Sequence, residues 1–169
     1  MWLAINAPDR LDRLVLCCTA ARMMRPEDYG QRAAKVRAEG MSAIAETVVG
    51  RWLTPDFAGS HPETVAWLRN MLLSTPADGY AATCEALQAL DLLGDLSKVT
   101  APTLVIAAAE DQSTPVHQAR AIASRIAGSK MVVISGASHM ANVERPDEVG
   151  DALLAFLQGD DGRIALSGD

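Results

Sequence analysis

An acidic and a basic side chain follow two apolar runs in the second half of this chain. Asp111 comes just after the run Pro102–Ala108, and His139 comes four residues after the run Lys130–Ser135. Apolar runs of this length are typical of strands covered on both faces of a parallel sheet. Side chains that follow parallel strands meet at one edge of the sheet, so we expect these two to lie close together. A carboxylate that receives one ring N–H fixes the imidazole tautomer, and the imidazole can then move a proton.

Each of these residues also has a simpler interpretation when it is taken alone. An Asp after a strand is often a turn residue or a helix cap, and Ser113-Thr114-Pro115 would suit that role. His139 alone could be an ordinary loop residue. The two residues are 28 positions apart, with one predicted helix and one predicted strand between them. This spacing favours a pair, for which we predict a hydrogen bond of about 2.6–3.2 Å.

Other residues that could do chemistry have weaker signals. His117 is a rival base, but it lies inside the predicted helix after the acid loop, and His61 precedes a proline where a capping or solvated role is expected. Cys84 lies in the middle of a predicted helix among apolar residues, where a low pKa is not expected. Arg51 and Trp52 either contact a bound substrate or serve only as a solvated cation and a core residue, and the sequence leaves both alternatives open.

Composition and charge limit the classes of function. The formal net charge of −6 argues against nucleic acid and anionic membrane as partners, and 49% hydrophobic residues are enough for a core. No apolar stretch is long enough to cross a bilayer, and the first six residues do not resemble a signal peptide. The odd number of cysteines, without metal-ligand spacing, predicts reduced thiols and a cytoplasmic location. The spacing of His, Cys and acidic residues indicates neither a metal nor an organic cofactor.

The hydrophobic patterns divide the chain into an α/β part and a helical part. Residues 1–22 and 97–158 predict a partial α/β core, with strands at Leu14–Cys18, Pro102–Ala108 and Lys130–Ser135 and helices at Val116–Ile126 and Asp147–Leu157. Residues 23–96 predict four short helices that form an all-helical cap over the carboxyl edge of the strands. Residues 159–169 are polar and rich in glycine, and they predict a disordered tail. The cap helices are expected at Asp28–Ala38, after a Ser42 cap, after His61-Pro62-Glu63 and at Gly79–Leu90, with a break at Pro55 and Gly59-Ser60.

Several segments resemble a known enzyme family. Trp2–Leu16 is similar to the segment after the nucleophile elbow of α/β-hydrolases, and Arg51–Phe57, Gly79–Leu87 and Ser138–Pro146 resemble the 3-oxoadipate enol-lactonases of the β-ketoadipate pathway. The resemblance implies an α/β-hydrolase fold with a mainly parallel sheet. It also implies hydrolysis of an enol-lactone that bears a carboxylate, in the catabolism of aromatic compounds. The substrate would be a small lactone or ester, and no cofactor is implied.

The chain departs from this family pattern at the nucleophile. Family triads run Ser, acid, His along the chain, yet no Gly-x-Ser-x-Gly occurs in the 169 residues. We therefore expect the chain to be the C-terminal part of such a hydrolase, inactive by itself, with an exposed sheet face through which it self-associates. A non-catalytic binding or assembly module remains an alternative. Another cap-bearing esterase or haloperoxidase-like hydrolase is a further one.

Overall fold

Three apolar runs form one parallel sheet, as the sequence predicts. The strands are β1 (Leu14–Cys17), β2 (Thr103–Ala108) and β3 (Lys130–Ile134), in the order β1-β2-β3. Both strand pairs are parallel, with Leu16 opposite Val105 and Ile106 opposite Val132. All six residues of β2 are buried, because this central strand is covered on both faces. The predicted bounds exceed the observed ones by one residue per strand.

The computed structural model describes residues 1–160. Residues 161–169, which make up most of the predicted tail, lie outside the described part. Gly159 takes the left-handed conformation (φ 75°) that ends the last helix. Short 3-10 turns occupy Pro8–Arg10, Met41–Ala43 and Leu93–Lys98. The α-helices are α1 (Trp2–Asn6), α2 (Pro26–Glu39), α3 (Ala45–Val49), α4 (Pro55–Ser60), α5 (Pro62–Leu73), α6 (Ala77–Gln88), α7 (Val116–Ala123), α8 (Ala141–Glu144) and α9 (Pro146–Gln158).

Helices cover both faces of the sheet and hold the strands in place. On one face Ile106 packs in a cluster with Phe156 of α9, and on the other Val105 packs in a cluster with Ile122 of α7. The two faces alternate along β2 because successive side chains of a strand point in opposite directions. Phe156 and Ile122 are buried at 2% and 0% exposure, and each such burial contributes about 1.5–3 kcal/mol. The strand ends that precede Asp111 and His139 are therefore held by packing on both faces of the sheet.

The chain separates into two compact units. Among the described residues, one contains 1–21 and 92–160, and the other is Arg22–Asp91. The first unit holds the sheet, and the second is helical in its described elements. The boundaries of this helical unit fall at 21/22 and 91/92, against predicted boundaries of 22/23 and 96/97. The role of the helical unit as a cap stays a prediction.

The helical unit differs locally from its prediction. The expected break at Pro55 and Gly59-Ser60 is wrong, because these residues form α4. Thr54 caps this helix by accepting a hydrogen bond from Phe57 N–H (3.3 Å), and Pro55 occupies its first turn. The Ser42 cap is also wrong, since Met41–Ala43 form a 3-10 turn and α3 begins at Ala45.

The apolar spacing of two helices in this unit predicts most of their buried side chains. Ala33 of α2 packs in one buried cluster with Ala81 and Cys84 of α6, as their apolar spacing indicates. On α5, Leu68 and Leu72 are buried, but Trp67 is 57% exposed and does not belong to the core.

Across the described residues, no helix is long and apolar enough to cross a membrane.

Candidate active site

The loop after β2 buries the carboxylate of Asp111. Its side chain is 0% exposed. Oδ1 accepts hydrogen bonds from the backbone N–H groups of Ser113 (2.7 Å) and Thr114 (2.9 Å), and Oδ2 accepts one from Thr114 Oγ1 (2.7 Å). The turn role that the sequence left open is therefore present. It uses mainly Oδ1, which leaves Oδ2 directed toward a second partner.

That second partner is His139, which follows β3. The Nδ1 atom of His139 lies 2.9 Å from Asp111 Oδ2, so the predicted hydrogen bond is present. Thr114 Oγ1 is 3.4 Å from the same nitrogen. Because an ionised carboxylate can only accept, Nδ1 carries the proton and donates it, and in the neutral imidazole Nε2 keeps its lone pair. The His139 side chain is 26% exposed, so the ring is accessible while its acid partner is not.

The electrostatics of the pair keep Asp111 ionised. Burial by itself raises the pKa of Asp111, but the hydrogen bond from His139 and those from Thr114 stabilise the carboxylate. The net effect holds the pKa of Asp111 below its usual range. At neutral pH the carboxylate can therefore orient the imidazole and stabilise the imidazolium that forms when His139 takes up a proton.

Backbone and side-chain contacts join the acid loop to the histidine loop. The N–H of Glu110 donates to the carbonyl of Ala137 (2.9 Å), and Ser138 Oγ donates to the carbonyl of Glu110 (3.3 Å). The N–H of Ser138 donates to Oε2 of Glu144, at 2.5 Å. Glu144 is 4% exposed and ends α8, a helix that the sequence analysis did not predict.

Glu144 is thus a residue of this site that sequence reasoning missed. The sequence gives it no role beyond its place in the segment Ser138–Pro146. The available signal was an acidic residue directly before Arg145-Pro146, in a loop that also holds the histidine. A buried carboxylate that accepts from the amide next to His139 restrains the backbone of that loop.

A pocket of about 420 Å³ lies beside the imidazole. It is lined by His139 and Met140, by apolar side chains of β1, β2 and α9, and by the thiols of Cys17 and Cys18. The pocket is mostly apolar with an imidazole at its wall, an arrangement that suits a small organic ligand.

The remaining candidates do not join the Asp111–His139 pair. His117 is exposed on α7, and Asp111 bonds to His139 instead. His61 stacks on Phe57, with ring centroids 4.0 Å apart. Cys84 is buried, and burial raises the pKa of its thiol, in agreement with the expectation that it is not an activated nucleophile.

Arg51 and Trp52 belong to the helical unit, just after α3. Arg51 is exposed and Trp52 is half-buried. Their part in substrate binding therefore stays a prediction. Within residues 1–160, no group of three or more His, Cys, Asp and Glu side chains is arranged to hold a metal ion.

Comparison with known proteins places this chain in a family. The family model of the alpha/beta hydrolase fold matches residues 1–146. The 3-oxoadipate enol-lactonase 2 of Acinetobacter baylyi is 37% identical over 157 residues, which cover 93% of this chain and 58% of that protein. The chain thus spans less than two thirds of the length of the relatives that it matches.

Solved structures agree with this relationship. The crystal structure of the enol-lactonase from Burkholderia xenovorans superposes with a TM-score of 0.89 at 39% identity, covering 92% of this chain and 60% of that one. A thermophilic esterase from Thermogutta terrifontis gives a TM-score of 0.85 at 33% identity, with 92% and 59% covered. With the family model, the parallel sheet and these relatives in agreement, the chain belongs to the alpha/beta-hydrolase superfamily and resembles its enol-lactonases.

Proposed function

We propose that this chain carries the acid and base of a carboxylic-ester hydrolase whose substrate is an enol-lactone. The observation that carries the proposal is the 2.9 Å contact between His139 Nδ1 and the buried Asp111 carboxylate. It supports the residue roles because the contact commits Nδ1 to the acid and leaves Nε2 for proton transfer. The likeness to enol-lactonases supports the substrate class.

The proposed chemistry is acyl transfer in two steps. Nε2 of His139 takes the proton from a serine hydroxyl as its oxygen attacks the lactone carbonyl, and Asp111 stabilises the imidazolium. The imidazolium returns the proton to the leaving enolate oxygen as the ring C–O bond breaks. His139 then removes a proton from water, which attacks the acyl-enzyme. The imidazolium returns this proton to the serine oxygen as the bond between that oxygen and the acyl carbon breaks, and the acid is released. Glu144 and Thr114 act through position only, by holding the histidine loop and the carboxylate.

The location of the nucleophile is a separate part of the proposal. Nine of the ten serines lie within residues 1–160, and none of these follows a strand in a sharp strand-to-helix elbow. Ser135 and Ser138 belong to the same loop as His139, and Ser113 belongs to the acid loop. We therefore propose that the attacking serine lies outside the 169 residues and that the chain by itself does not turn over substrate.

The proposal for substrate recognition rests on charge. The proposed enol-lactone bears a carboxylate and its hydrolysis product is a dicarboxylate, and such ligands call for a cation in their site. Arg51 is our candidate for this cation, and Trp52 is a candidate for contact with the carbon skeleton. Arg51→Gln should raise KM more than it lowers kcat, because it removes binding that the ground state and the transition state share.

The test compares this chain with a longer gene product that includes a Gly-x-Ser-x-Gly segment. We expect loss of 3-oxoadipate enol-lactone at the buffer rate with the 169-residue chain and enzymatic turnover with the longer one. In the longer protein, His139→Ala should lower kcat about 10³-fold or more, whereas His117→Ala, the matched control, should change it little. Turnover by the 169-residue chain that disappears with His139→Ala would reveal a nucleophile within it and would refute the proposal.

A simple ester is the second candidate substrate. The relationship to the thermophilic esterase, at 33% identity, favours it, since ester and lactone carbonyls need the same acid–base pair. The two substrates separate by kcat/KM for the enol-lactone against a short-chain aryl ester in the longer protein. A higher value for the aryl ester, unaffected by Arg51→Gln, would assign the protein to the esterases.

A further inference from the structure

Two adjacent thiols lie at the carboxyl end of β1. Cys17 is the last residue of the strand, and Cys18 follows it with φ of +43°, a left-handed conformation that is uncommon for residues other than glycine. Successive side chains of a regular strand point to opposite faces. Here the backbone leaves the strand geometry at Cys18, and the two Sγ atoms lie 3.9 Å apart. Both residues line the pocket beside His139.

The two thiols are not equivalent. The hydrogen bond with Cys18 and the proximity of His139 lower the pKa of Cys17, although burial opposes this. The same hydrogen bond, together with burial, raises the pKa of Cys18. Cys17 is also the exposed member of the pair, whereas Cys18 is half-buried. The pair therefore presents one accessible sulfur with a lowered pKa beside a less accessible sulfur with a raised pKa.

A direct disulfide between these residues would be strained. Adjacent Cα atoms are about 3.8 Å apart, whereas disulfides usually join Cα atoms about 4.4–6.8 Å apart. The sulfurs would also have to approach from 3.9 Å to about 2.05 Å. An atom that is inserted between the sulfurs and bonded to both requires much less movement. Thiolates favour soft centres for this role.

We propose that Cys17 and Cys18 form a dithiol site that binds one soft, thiophilic atom, of the class of trivalent organic arsenic, in the pocket beside His139. Binding at these thiols does not depend on the hydrolysis proposed above, since neither thiol takes part in that reaction. Occupation of the site would place the organic group of the ligand next to the imidazole.

The binding step balances with phenylarsine oxide as the probe. The Cys17 thiolate attacks arsenic and forms the first As–S bond, while the oxide oxygen takes up a proton and becomes a hydroxyl on arsenic. Cys18 then forms the second As–S bond and displaces that hydroxyl. The two thiol protons and the oxide oxygen leave as one water molecule. Arsenic stays trivalent, so no oxidant or reductant is needed.

The experiment is intact-mass spectrometry of the 169-residue chain with equimolar phenylarsine oxide. We expect one adduct that survives glutathione, a monothiol, and is removed by 2,3-dimercaptopropanol, a dithiol. Two tethered thiols should hold the probe about 10²-fold or more tightly than one. Tryptic cleavage after Arg13 and Arg22 should place the adduct on the peptide that contains both cysteines, which locates it without any substitution.

Three variants complete the test. Cys17→Ser and Cys18→Asn should each lose the glutathione-resistant adduct, and asparagine tolerates the left-handed backbone at position 18. Cys84→Ser is the matched control, because it removes a buried thiol from another element, and it should retain the adduct. An adduct on the Cys84 peptide, no glutathione-resistant adduct in the unsubstituted chain, or unchanged retention in Cys17→Ser would each overturn the proposal.

Discussion

Replacing Asp111 with asparagine tests the geometry of the acid–base pair most directly. The asparagine oxygen can keep the two backbone N–H bonds at the Oδ1 position, from Ser113 and Thr114. Its NH₂ group must then occupy the Oδ2 position, which faces His139 Nδ1 at 2.9 Å. The NH₂ group cannot accept from His139 Nδ1–H or from the Thr114 hydroxyl, both of which bond to Oδ2 in the parent. We therefore expect His139 to change tautomer and to carry its proton on Nε2, with Nδ1 as acceptor.

The expected loss of stability follows from the hydrogen bonds in the structure. Bonds to a charged group contribute about 1.5–3 kcal/mol and neutral ones about 0.5–1.5 kcal/mol, a difference of about 1 kcal/mol per bond. Because the two backbone bonds become neutral, Asp111→Asn should lower the free energy of unfolding by about 2 kcal/mol. Asp111→Ala removes the acceptor of two N–H groups and of the Thr114 hydroxyl. At about 1–3 kcal/mol for each unsatisfied buried donor, it should cost at least about 3 kcal/mol.

Two measurements check this reasoning. Urea unfolding at pH 7, followed by far-ultraviolet circular dichroism, gives the free energies of unfolding of the three proteins. Nitrogen-15 shifts of the imidazole at pH 8 identify the tautomer. An asparagine variant whose free energy of unfolding lies within about 0.5 kcal/mol of the parent's would refute this hydrogen-bond arrangement, because surface substitutions that disturb no special feature usually change stability by no more than that. A variant in which Nδ1 of His139 keeps its proton would refute it as well.

Three further predictions concern stability. Because the folded-state pKa of Asp111 lies below its unfolded value, its contribution is complete at neutral pH and is lost as the pH falls below about 4 through the folded pKa; urea midpoints from pH 7 to pH 3 should therefore fall less steeply for Asp111→Asn than for the parent. Glu144→Ala leaves the Ser138 N–H without its acceptor and should cost about 1–3 kcal/mol, whereas Glu144→Gln keeps an acceptor and should cost less; equal losses in urea unfolding would contradict this. Ile122→Ala empties a fully buried position between α7 and the sheet and should cost about 2–5 kcal/mol, against less than about 0.5 kcal/mol for the exposed Arg120→Ala on the same helix.

The sequence by itself determined the elements whose signals are local. The three strands were predictable because buried parallel strands must be apolar throughout, and β2 is buried at every residue. The place of Asp111 and His139 at strand ends followed from the order of these runs along the chain. Helix α9 was predictable to within one residue at each end from its apolar spacing. The pattern failed at α4, where the Thr54 cap and the first-turn proline outweigh Gly59.

Only the tertiary structure decided which atoms meet. The parallel register of β2 and β3 brings His139 to Asp111 across 28 residues, whereas His117, six residues away in sequence, faces solvent on α7. The buried position of Glu144 and the contact between the Cys17 and Cys18 sulfurs likewise depend on loop conformation and on one positive φ angle. Sequence patterns report which residues avoid water, since burial imposes a period along the chain. Side-chain contacts between distant segments leave no such period, because they are fixed by strand register and by loop torsions.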